Sequence, residues 1–208
     1  MVHTMCGRYE LIDGKRVDSQ FRVAQPMLPI PENADVRPTQ HVVALQADRI
    51  LSAMRWGLVP AWAKDPRIGS KMINARSEGI ESKPSFKRPL RFQRCIVPAS
   101  AFFEWQGSPG AKVKYRIARK DGGLFGFAGL YDTWRDPSDP AGDELTTCTI
   151  ITTQPNDLVA PIHNRMPVIL LPEDEDHWLD PDMTEPEEIV SLLRPYPAEL
   201  LQAMPAIA

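Results

Sequence analysis

Apolar and polar residues alternate along several short stretches of the chain, which is the pattern of half-buried β-strands. Residues 41–59 alternate loosely around a turn at Ala47-Asp48, so a hairpin is predicted there. Residues 112–119 alternate cleanly, with apolar side chains on one face and basic side chains on the other. Asp121-Gly122 then offers the positive-φ residues of a tight turn. We therefore expect residues 124–130 to return as the second strand of a hairpin.

Further strands and helices complete the predicted architecture. β-branched residues predict strands at 146–153 and 166–171, and residues 134–144 are a polar, proline-bearing loop. Helices are expected within residues 13–25, after the capping-box pattern Thr184-Glu-Pro-Glu187, and from Pro197. The predicted fold class is α+β, a curved, largely antiparallel β-sheet or barrel with peripheral helices. Residues 5–208 are expected to form a single domain without internal repeats.

Composition narrows the class of protein. The 208 residues suffice to bury one full core, and 21 prolines favour turns and short elements. The net charge of −3 gives no global sign of nucleic-acid binding, and three cysteines without paired spacing suggest reduced thiols. No apolar run is long enough to cross a bilayer, and Met1 to Cys6 lacks the apolar stretch of a signal peptide. We expect a cytoplasmic monomer that has no membrane partner.

Charge is distributed unevenly along the chain. Residues 64–94 contain nine Lys or Arg against three acids, whereas residues 172–188 are strongly acidic. The basic segment is either a solvated face or a track for the phosphates of a nucleic acid. Trp56, Trp62 and Phe86 lie in or beside it and can stack on unpaired bases or pack in the core. Core packing is expected more strongly for Trp56 than for Trp62.

Four stretches combine reactive side chains with apolar or turn-forming neighbours. They are Met5-Cys6-Gly7-Arg8-Tyr9, Met72-Ile-Asn74-Ala-Arg76, Phe102-Phe-Glu104-Trp105 and Pro161-Ile-His163-Asn-Arg165-Met-Pro167. Taken singly, each has a structural explanation. Together they supply a nucleophile, an amide, a carboxylate and an imidazole, a set that also fits a cysteine peptidase. Cys95 and Cys148 lie in apolar, β-rich runs and are expected to be inert core thiols. The scattered histidines indicate no metal, and no organic cofactor is indicated.

The position of Cys6 near the N-terminus favours a different reaction from that of a cysteine peptidase. If translation starts at Met5 and that methionine is removed, the chain begins with a cysteine that carries a free α-amine. Such a 1,2-aminothiol condenses with an aldehyde to a Schiff base, and its thiol then closes a thiazolidine ring. The ordinary pKa values of the amine and thiol, about 8 and about 8.5, leave both partly available near neutral pH. The ring-opened sugar of an abasic site in DNA presents such an aldehyde.

Seven sequence strings stand in an order that is typical of one protein family. They are Cys6-Gly-Arg-Tyr9, Arg55-Trp-Gly-Leu-Val-Pro60 with Trp62-Ala-Lys64, Asn74-Ala-Arg-Ser-Glu78, Arg94-Cys-Ile-Val-Pro98, Phe103-Glu-Trp105, Ala128-Gly-Leu130 and Ile162-His-Asn-Arg-Met-Pro-Val-Ile169. Together they resemble the SRAP family (SOS-response-associated peptidases, also called abasic-site processing proteins). The resemblance runs from Met5 to about Ala203. It implies a protein that binds abasic sites in single-stranded DNA and crosslinks to them covalently.

The resemblance also implies a role for individual residues. Cys6 would form the thiazolidine, Asn74 would hydrogen-bond the sugar adduct, Glu104 would serve the amine, and His163 would transfer protons. Contacts to the DNA strand are implied for five more residues, of which the first two would hold phosphates: Arg8, Arg76, Pro38, Trp62 and Thr152. β-Elimination at the abasic site (lyase activity) and autopeptidase activity that exposes the cysteine are further activities implied by the family.

The chain departs from the family pattern in three places. Residues 1–4 precede Met5, and with them attached Cys6 has no free amine, so we expect a misassigned start or added residues. Asp35 and Arg37 stand before Pro38-Thr-Gln40, where an Asn-hydrophobic-Ala string is expected. The sequence stops at Ala208, where the family continues into a last strand, so an incomplete sheet edge is expected.

Two rival functions are compatible with the same residues. The first is a peptidase that uses Cys6 as nucleophile and His163 as base, which tolerates a blocked amine. The second is a non-covalent single-strand binding module whose basic and aromatic surface works without Cys6. Replacing Cys6 by alanine separates the three, because it abolishes capture, abolishes proteolysis, or leaves binding intact.

Overall fold

A computed structural model describes residues 7–25, 30, 32–108, 110–139 and 141–206 of the chain. Short strands joined by turns dominate it. The strands are β1 (Tyr9–Leu11), β2 (Asn33–Val36), β3 (His41–Leu45), β4 (Leu51–Trp56), β5 (Asn74–Arg76), β6 (Arg94–Ala99), β7 (Ala101–Gln106), β8 (Val113–Arg119), β9 (Phe125–Trp134), β10 (Leu145–Thr153), β11 (Met166–Pro167) and β12 (Leu201–Pro205). The α-helices are α1 (Val17–Gln20), α2 (Lys87–Phe92), α3 (Glu175–Leu179) and α4 (Pro186–Ser191), and 3₁₀ turns span Gly14–Arg16, Pro66–Lys71, Ile80–Ser82 and Ala198–Leu200.

Five strands close into a barrel. The order β10-β4-β3-β6-β9 returns to its start, because β9 also pairs with β10. The β3–β4 hairpin predicted for residues 41–59 is present, with His41 opposite Arg55 and Leu45 opposite Leu51. The β10–β4 pair of this ring is parallel, and the other pairs are antiparallel. The predicted fold class, α+β with a curved, largely antiparallel barrel and peripheral helices, is therefore confirmed.

β10 extends beyond the ring and carries two further strands. Leu145 to Ile150 pair with β9, which closes the barrel. The remaining residues pair with β5 in parallel on one side, from Ile150 opposite Asn74 to Thr152 opposite Arg76, and with β11 on the other. The projecting end of β10 thus places Asn74 and Arg76 at the mouth of the barrel.

A second, fully antiparallel sheet has the order β12-β8-β7-β1-β2 and packs on the barrel through aromatic rings. Tyr9 of this sheet contacts Trp56 and Phe127 of the barrel edge-on, with ring centroids 5.4 and 5.7 Å apart. Phe102 makes similar contacts with Phe125 and Phe127. Trp56 is fully buried, as predicted for a core residue, and it joins the two layers.

The hairpin predicted from residues 112–130 is wrong. β8 pairs with β7 on one edge and with β12 on the other, so neither edge is free for β9. The turn itself exists, with Gly122 at φ +69°, but it transfers the chain from the sheet to the barrel. The strand predicted for residues 166–171 is also shorter than expected, since β11 ends at Pro167 and Ile169 forms only an isolated bridge to Phe127.

The helical predictions hold in part. A 3₁₀ turn and α1 occupy the predicted N-terminal region. α4 begins at Pro186 with Glu185 as its N-cap and no side-chain cap bond, so the capping box at Thr184 is wrong. Proline at the first helical position forces the preceding residue into an extended conformation, which starts the helix later. The segment after Pro197 makes one 3₁₀ turn and continues as β12. No helix in the part of the chain that the structure describes is long and apolar enough to span a membrane.

Candidate active site

Asn74 and Arg76 lie on one face of β5, because side chains two residues apart in a strand point the same way. Asn74 is half-buried and Arg76 is exposed, while Ala75 between them faces the core. The approach to β5 is fixed by the indole of Trp56, whose Nε1 donates a 2.8 Å hydrogen bond to the carbonyl of Ile73. This side of β5 therefore offers an amide and a guanidinium at the projecting end of β10.

Arg165 connects three segments of the candidate site. Its Nη2 donates to the carbonyl oxygen of Thr152 at 2.6 Å and lies 3.3 Å from the Thr152 hydroxyl, and its Nη1 donates to the carboxylate of Glu78. The hydrogen bond from the Arg165 guanidinium holds the pKa of Glu78 below its usual range. Arg165 is buried, and so is Thr152, which consequently contacts Arg165 rather than an open surface.

His163 is half-buried in the turn before β11. Its Nδ1 lies 3.2 Å from the backbone nitrogen and 3.4 Å from the carbonyl oxygen of Arg165. Both contacts orient the imidazole ring through Nδ1. The turn is also tied to the other sheet, because Nε2 of Gln106 donates to the carbonyl of Pro161 at 2.8 Å.

Glu104 lies on β7 of the second sheet, and Arg8 directly precedes the neighbouring strand β1. The side chain of Glu104 is buried, two residues before the Gln106 that contacts the His163 turn. The backbone N–H of Phe103 donates to the carbonyl of Arg8 at 3.0 Å. Cys6 lies outside the described residues. The structure thus brings Arg8 beside the strand of Glu104, and one hydrogen bond joins that strand to the turn of His163.

The chain departs from the family pattern at Asp35 and Arg37. The carboxylate of Asp35 forms an ion pair with Arg8, and Arg37 binds the same carboxylate. Nε of Arg8 lies 3.2 Å from Oδ1 of Asp35, and Arg37 donates two hydrogen bonds to Oδ2 of the same carboxylate. Arg37, and to a lesser extent Arg8, hold the pKa of Asp35 below its usual range. The Arg8 guanidinium also lies 5.8 Å from the ring centroid of Trp105, so it is held between an anion and an aromatic face.

Pro38 and Trp62 occupy two exposed turns. Pro38 is half-buried and precedes Thr39, which has φ +72°, an unusual backbone conformation for a β-branched residue. Trp62 is 59% exposed, whereas Phe86 is 8% exposed and belongs to the core. Of the three aromatic residues that could have stacked on bases, only Trp62 is therefore available at the surface.

The basic segment 64–94 is divided by the fold. Arg94 is buried, and its guanidinium donates to the carbonyls of Trp178, Leu90 and Asp180 at 2.5–2.8 Å, so it belongs to the core. Arg67 pairs with the adjacent Asp65. Other cations remain exposed in the described structure, namely Lys64, Lys71, Arg76, Lys87 and Arg88. The segment is thus in part structural and in part an exposed basic surface.

Two of the three cysteines are core residues, as predicted. Cys95 and Cys148 are fully buried, and burial raises the pKa of Cys148 to about 12 and that of Cys95 well above its usual range. Both thiols therefore stay protonated and unreactive near neutral pH.

Comparisons with known proteins agree with this arrangement. A family model described as "SOS response associated peptidase (SRAP)" matches residues 5–207. The chain belongs to the SRAP family. Abasic site processing protein YoqW of Bacillus subtilis (strain 168) is 46% identical over 207 residues, which cover 96% of this chain and 91% of YoqW. Abasic site processing protein HMCES of Gallus gallus is 37% identical over 172 residues, covering 72% of this chain and 51% of HMCES.

Solved structures share the SRAP fold of this chain. A crystal structure of a protein from Bacteroides thetaiotaomicron has a TM-score of 0.83 and 32% sequence identity, covering 95% of this chain and 90% of that protein. One from Bordetella bronchiseptica has a TM-score of 0.82 and 29% identity, covering 98% and 100%. SRAP membership is confirmed, while the roles of individual side chains stay predictions.

Three residues that organise this SRAP site do not stand out in the sequence. Arg165 and Glu78 lie within the family strings, but no role is implied for either, and Asp132 contacts the turn of Trp62 from a distant strand. The one available signal is that Arg165 directly precedes the apolar run from Met166 to Leu171, because a guanidinium that is buried with such a run must have several acceptors. Nothing local in the sequence identifies Asp132.

Proposed function

We propose that this protein processes abasic sites in single-stranded DNA by forming a thiazolidine crosslink through Cys6. The main support is that the chain is 46% identical, over nearly its whole length, to a protein named for abasic-site processing. The geometry adds support, since the backbone of Arg8, two residues after Cys6, is hydrogen-bonded next to the buried carboxylate of Glu104. A carboxylate beside an α-amine is suited to accept its proton.

The proposed reaction joins the aldehyde carbon of the opened sugar to both nucleophiles of Cys6. The amine adds to the aldehyde and water leaves to give an imine, and the sulfur then bonds to the same carbon and closes the ring. The net change is the loss of one water. We expect His163 to donate a proton to the sugar oxygen during ring opening or to the leaving hydroxyl, while Asn74 hydrogen-bonds the adduct.

The same imine supports a second outcome. Proton loss at the adjacent sugar carbon expels the 3′ phosphate by β-elimination, which is the lyase reaction. Ring closure by sulfur removes the imine and so competes with elimination. We expect crosslinking to dominate with cysteine, and lyase cleavage to increase in a Cys6→Ser variant, whose oxazolidine ring is less stable.

The surface around the site is suited to an extended single strand. Arg8 and Arg76 are proposed to hold phosphates beside the lesion, and Pro38 and Trp62 to border the path of the strand. Thr152 was predicted to contact the strand as well, but it is fully buried against Arg165, so its proposed role is to support the site from below the surface. Phosphate contacts and stacking tolerate any base sequence, so capture should depend little on the neighbouring bases and should weaken with salt. We also propose that the protein is a monomer and acts in the reducing cytoplasm. The free, buried thiols of Cys95 and Cys148 are in keeping with that compartment.

Intact-mass spectrometry tests the proposal directly. Protein expressed with Met5 as initiator, so that it begins at Cys6, is incubated with a single-stranded oligonucleotide that carries one abasic site. The expected result is a heat-stable increase by the oligonucleotide mass less one water, which is lost in Cys6→Ala and retained in Cys148→Ala. The same oligonucleotide with a tetrahydrofuran residue, which cannot open to an aldehyde, should bind without a covalent mass increase.

The alternatives give different results in the same assay. A chain beginning at Cys6 whose mass does not increase overturns the crosslinking proposal and favours a peptidase. Normal binding to both oligonucleotides without any adduct, unchanged in Cys6→Ala, favours a non-covalent binding module. An N-terminally extended chain that keeps residues 1–5 should form no adduct, because an amide nitrogen cannot form the imine.

A further inference from the structure

Trp62 lies at the tip of a β-turn whose backbone is hydrogen-bonded to the barrel. The N–H of Ala63 donates to the carbonyl of Pro60 at 2.8 Å, which closes a four-residue turn with Trp62 at its third position. Trp62 is 59% exposed and its neighbour Ala61 is exposed as well, whereas Val59 and Ala63 at the base of the turn are buried. The fold thus presents a large apolar ring to solvent on a short, closed segment of backbone.

Three side chains of the barrel hold this turn by its backbone. Val59 N–H donates to Oγ1 of Thr147 at 2.8 Å, and Ala61 N–H donates to Oδ2 of Asp132 at 2.8 Å. The carbonyl of Ala63 accepts from Nε1 of Trp134 at 2.7 Å. The anchored residues are therefore 59, 61 and 63, every second residue on both sides of the turn.

The anchors match this spacing because they share one face of the barrel wall. Asp132 and Trp134 are two residues apart on β9, and Thr147 lies directly opposite Asp132 on β10. All three side chains are buried, with relative exposures of 5%, 7% and 0%. Asp132 is the central anchor, and among the three anchors it is the one that offers a carboxylate as acceptor.

The anchored indole separates two surface cavities. The first, of about 300 Å³, is lined by Trp62 together with Asp132, Arg88 and Gln93. The second, of about 580 Å³, lies against Trp62 with Lys64 and Lys71 among its lining residues. Either cavity exceeds the volume of a nucleobase, and cations border both. An aromatic wall between two such cavities is suited to stack on unpaired bases.

We propose that Asp132 is a positioning residue for DNA binding, which holds Trp62 in its stacking orientation through the backbone of Ala61. This inference rests on the proposed function, since it requires a single-stranded nucleic-acid ligand. Its physical basis is preorganisation: a ring already fixed on the barrel loses little conformational freedom when a base stacks on it. Without the carboxylate, the Ala61 N–H has no acceptor and the turn must rearrange.

A double-mutant cycle tests the inference. Affinity is measured by fluorescence anisotropy with a single-stranded oligonucleotide bearing a tetrahydrofuran abasic analogue, which separates binding from covalent capture. Stacking on one aromatic ring strengthens binding by about 5- to 150-fold, so Trp62→Ala should weaken it within that range. Asp132→Ala should weaken it by roughly 3- to 10-fold, and the effect should vanish when Trp62→Ala is already present.

Three variants keep the test valid if Asp132→Ala is unstable. Trp134→Phe removes the hydrogen bond to Ala63 but keeps an aromatic ring, and should show the same dependence on Trp62. Asp132→Asn keeps an oxygen acceptor for Ala61 and should restore most of the affinity. Arg88→Gln removes the cation 3.8 Å from Asp132, and any loss it causes should persist in the Trp62→Ala background.

Two outcomes overturn the inference. If Asp132→Ala and Trp134→Phe bind like the parent protein, or lose as much affinity without Trp62 as with it, then Asp132 does not act through Trp62. If Trp62→Ala itself binds normally, there is no stacking to position. Neither outcome affects the mass increase that tests crosslinking through Cys6, so the failure of one proposal is distinguishable from the failure of the other.

Discussion

Arg165 contacts Thr152, Glu78 and, through its backbone, His163, so one residue links the projecting end of β10 to the turn of the imidazole. Its planar guanidinium donates in several directions at once, which a lysine ammonium on a flexible chain cannot reproduce in the same geometry. The Arg165 side chain is buried, whereas Glu78 is half exposed. The buried contact with the Thr152 carbonyl should therefore matter more for stability than the partly screened ion pair.

Arg165→Lys should lower the free energy of unfolding by about 1–3 kcal/mol, because it leaves buried acceptors without their donor. Glu78→Gln is the matched control and should lower it by less than about 1 kcal/mol, since a half-exposed ion pair is screened by water. Urea denaturation followed by circular dichroism measures both. Equal losses in the two variants would contradict the dominance of the buried contact.

Asp35→Asn should strengthen binding to single-stranded DNA by a few-fold, because it removes the anion that pairs with Arg8 and Arg37. The slope of log affinity against log salt should steepen by about 0.7 for each additional phosphate that the freed arginines bind. Anisotropy titrations at several salt concentrations measure both quantities. Asp136→Asn, an equal charge change at an exposed position, is the control and should leave the slope unchanged.

At the scale of elements, alternation predicted strands better than it predicted their partners. The pattern of residues 112–119 correctly indicates β8, and Gly122 adopts the expected left-handed conformation. Yet β8 pairs with β7 and β12, because pairing is decided by which edges remain open in the assembled sheet. The β3–β4 hairpin forms as predicted because β6 pairs with β3 and β10 with β4 on their outer edges, which leaves the two facing edges to each other.

In the candidate site, too, local sequence identifies some residues and misses those that depend on long-range contacts. Side chains that are predicted to carry chemistry, such as Glu104 and His163, can be found from local strings of polar residues among apolar ones. Residues that orient them cannot, because their contacts are long-range. Asp132 binds a backbone group 71 residues away, and Arg165 pairs with a carboxylate 87 residues away. Such contacts exist only after β10 has joined the barrel to β5 and β11.

The β6–β9 contact gives an element-scale prediction. A Cβ at Gly126 would lie 2.4 Å from Cγ2 of Ile96 across the strand pair, so Gly126→Ala overpacks the barrel. We expect it to lower the free energy of unfolding by about 1–3 kcal/mol in urea denaturation. Gly122→Asn in the exposed turn is the control and should change it little, because asparagine tolerates the left-handed conformation. A Gly126→Ala variant as stable as the parent would show that Ile96 yields without strain.

For the whole molecule, the acidic segment 172–188 serves packing as well as solvation. α3 lies against the barrel, with Trp178 buried and its indole Nε1 donating to the carbonyl of Cys95 at 2.9 Å. Asp176 pairs with Arg22 and Arg49 at the surface. Glu175, one residue earlier, is buried beside β9 and has no such exposure, so one acid of this helix enters the apolar interior.

Burial raises the pKa of Glu175 to about 7, although Arg49 and Arg22 oppose the shift. In the unfolded chain this carboxyl titrates near 4.5. Between those values the folded state binds the additional proton, so the group's contribution to stability is present at low pH and is lost as the pH rises through about 7. Above that pH the charged, buried carboxylate opposes folding by roughly 3 kcal/mol, from the size of the shift.

Glu175→Gln removes this titration while keeping the shape of the side chain. Its free energy of unfolding should match that of the parent near pH 4.5 and exceed it increasingly up to pH 7.5, by a few kcal/mol, in urea denaturation across that range. Glu187→Gln on the exposed face of α4 is the control and should show no such divergence. A difference between Glu175→Gln and the parent that stays constant with pH would mean that Glu175 titrates alike in both states. In that case the charge of Glu175 would be compensated in the folded state by Arg49 and Arg22.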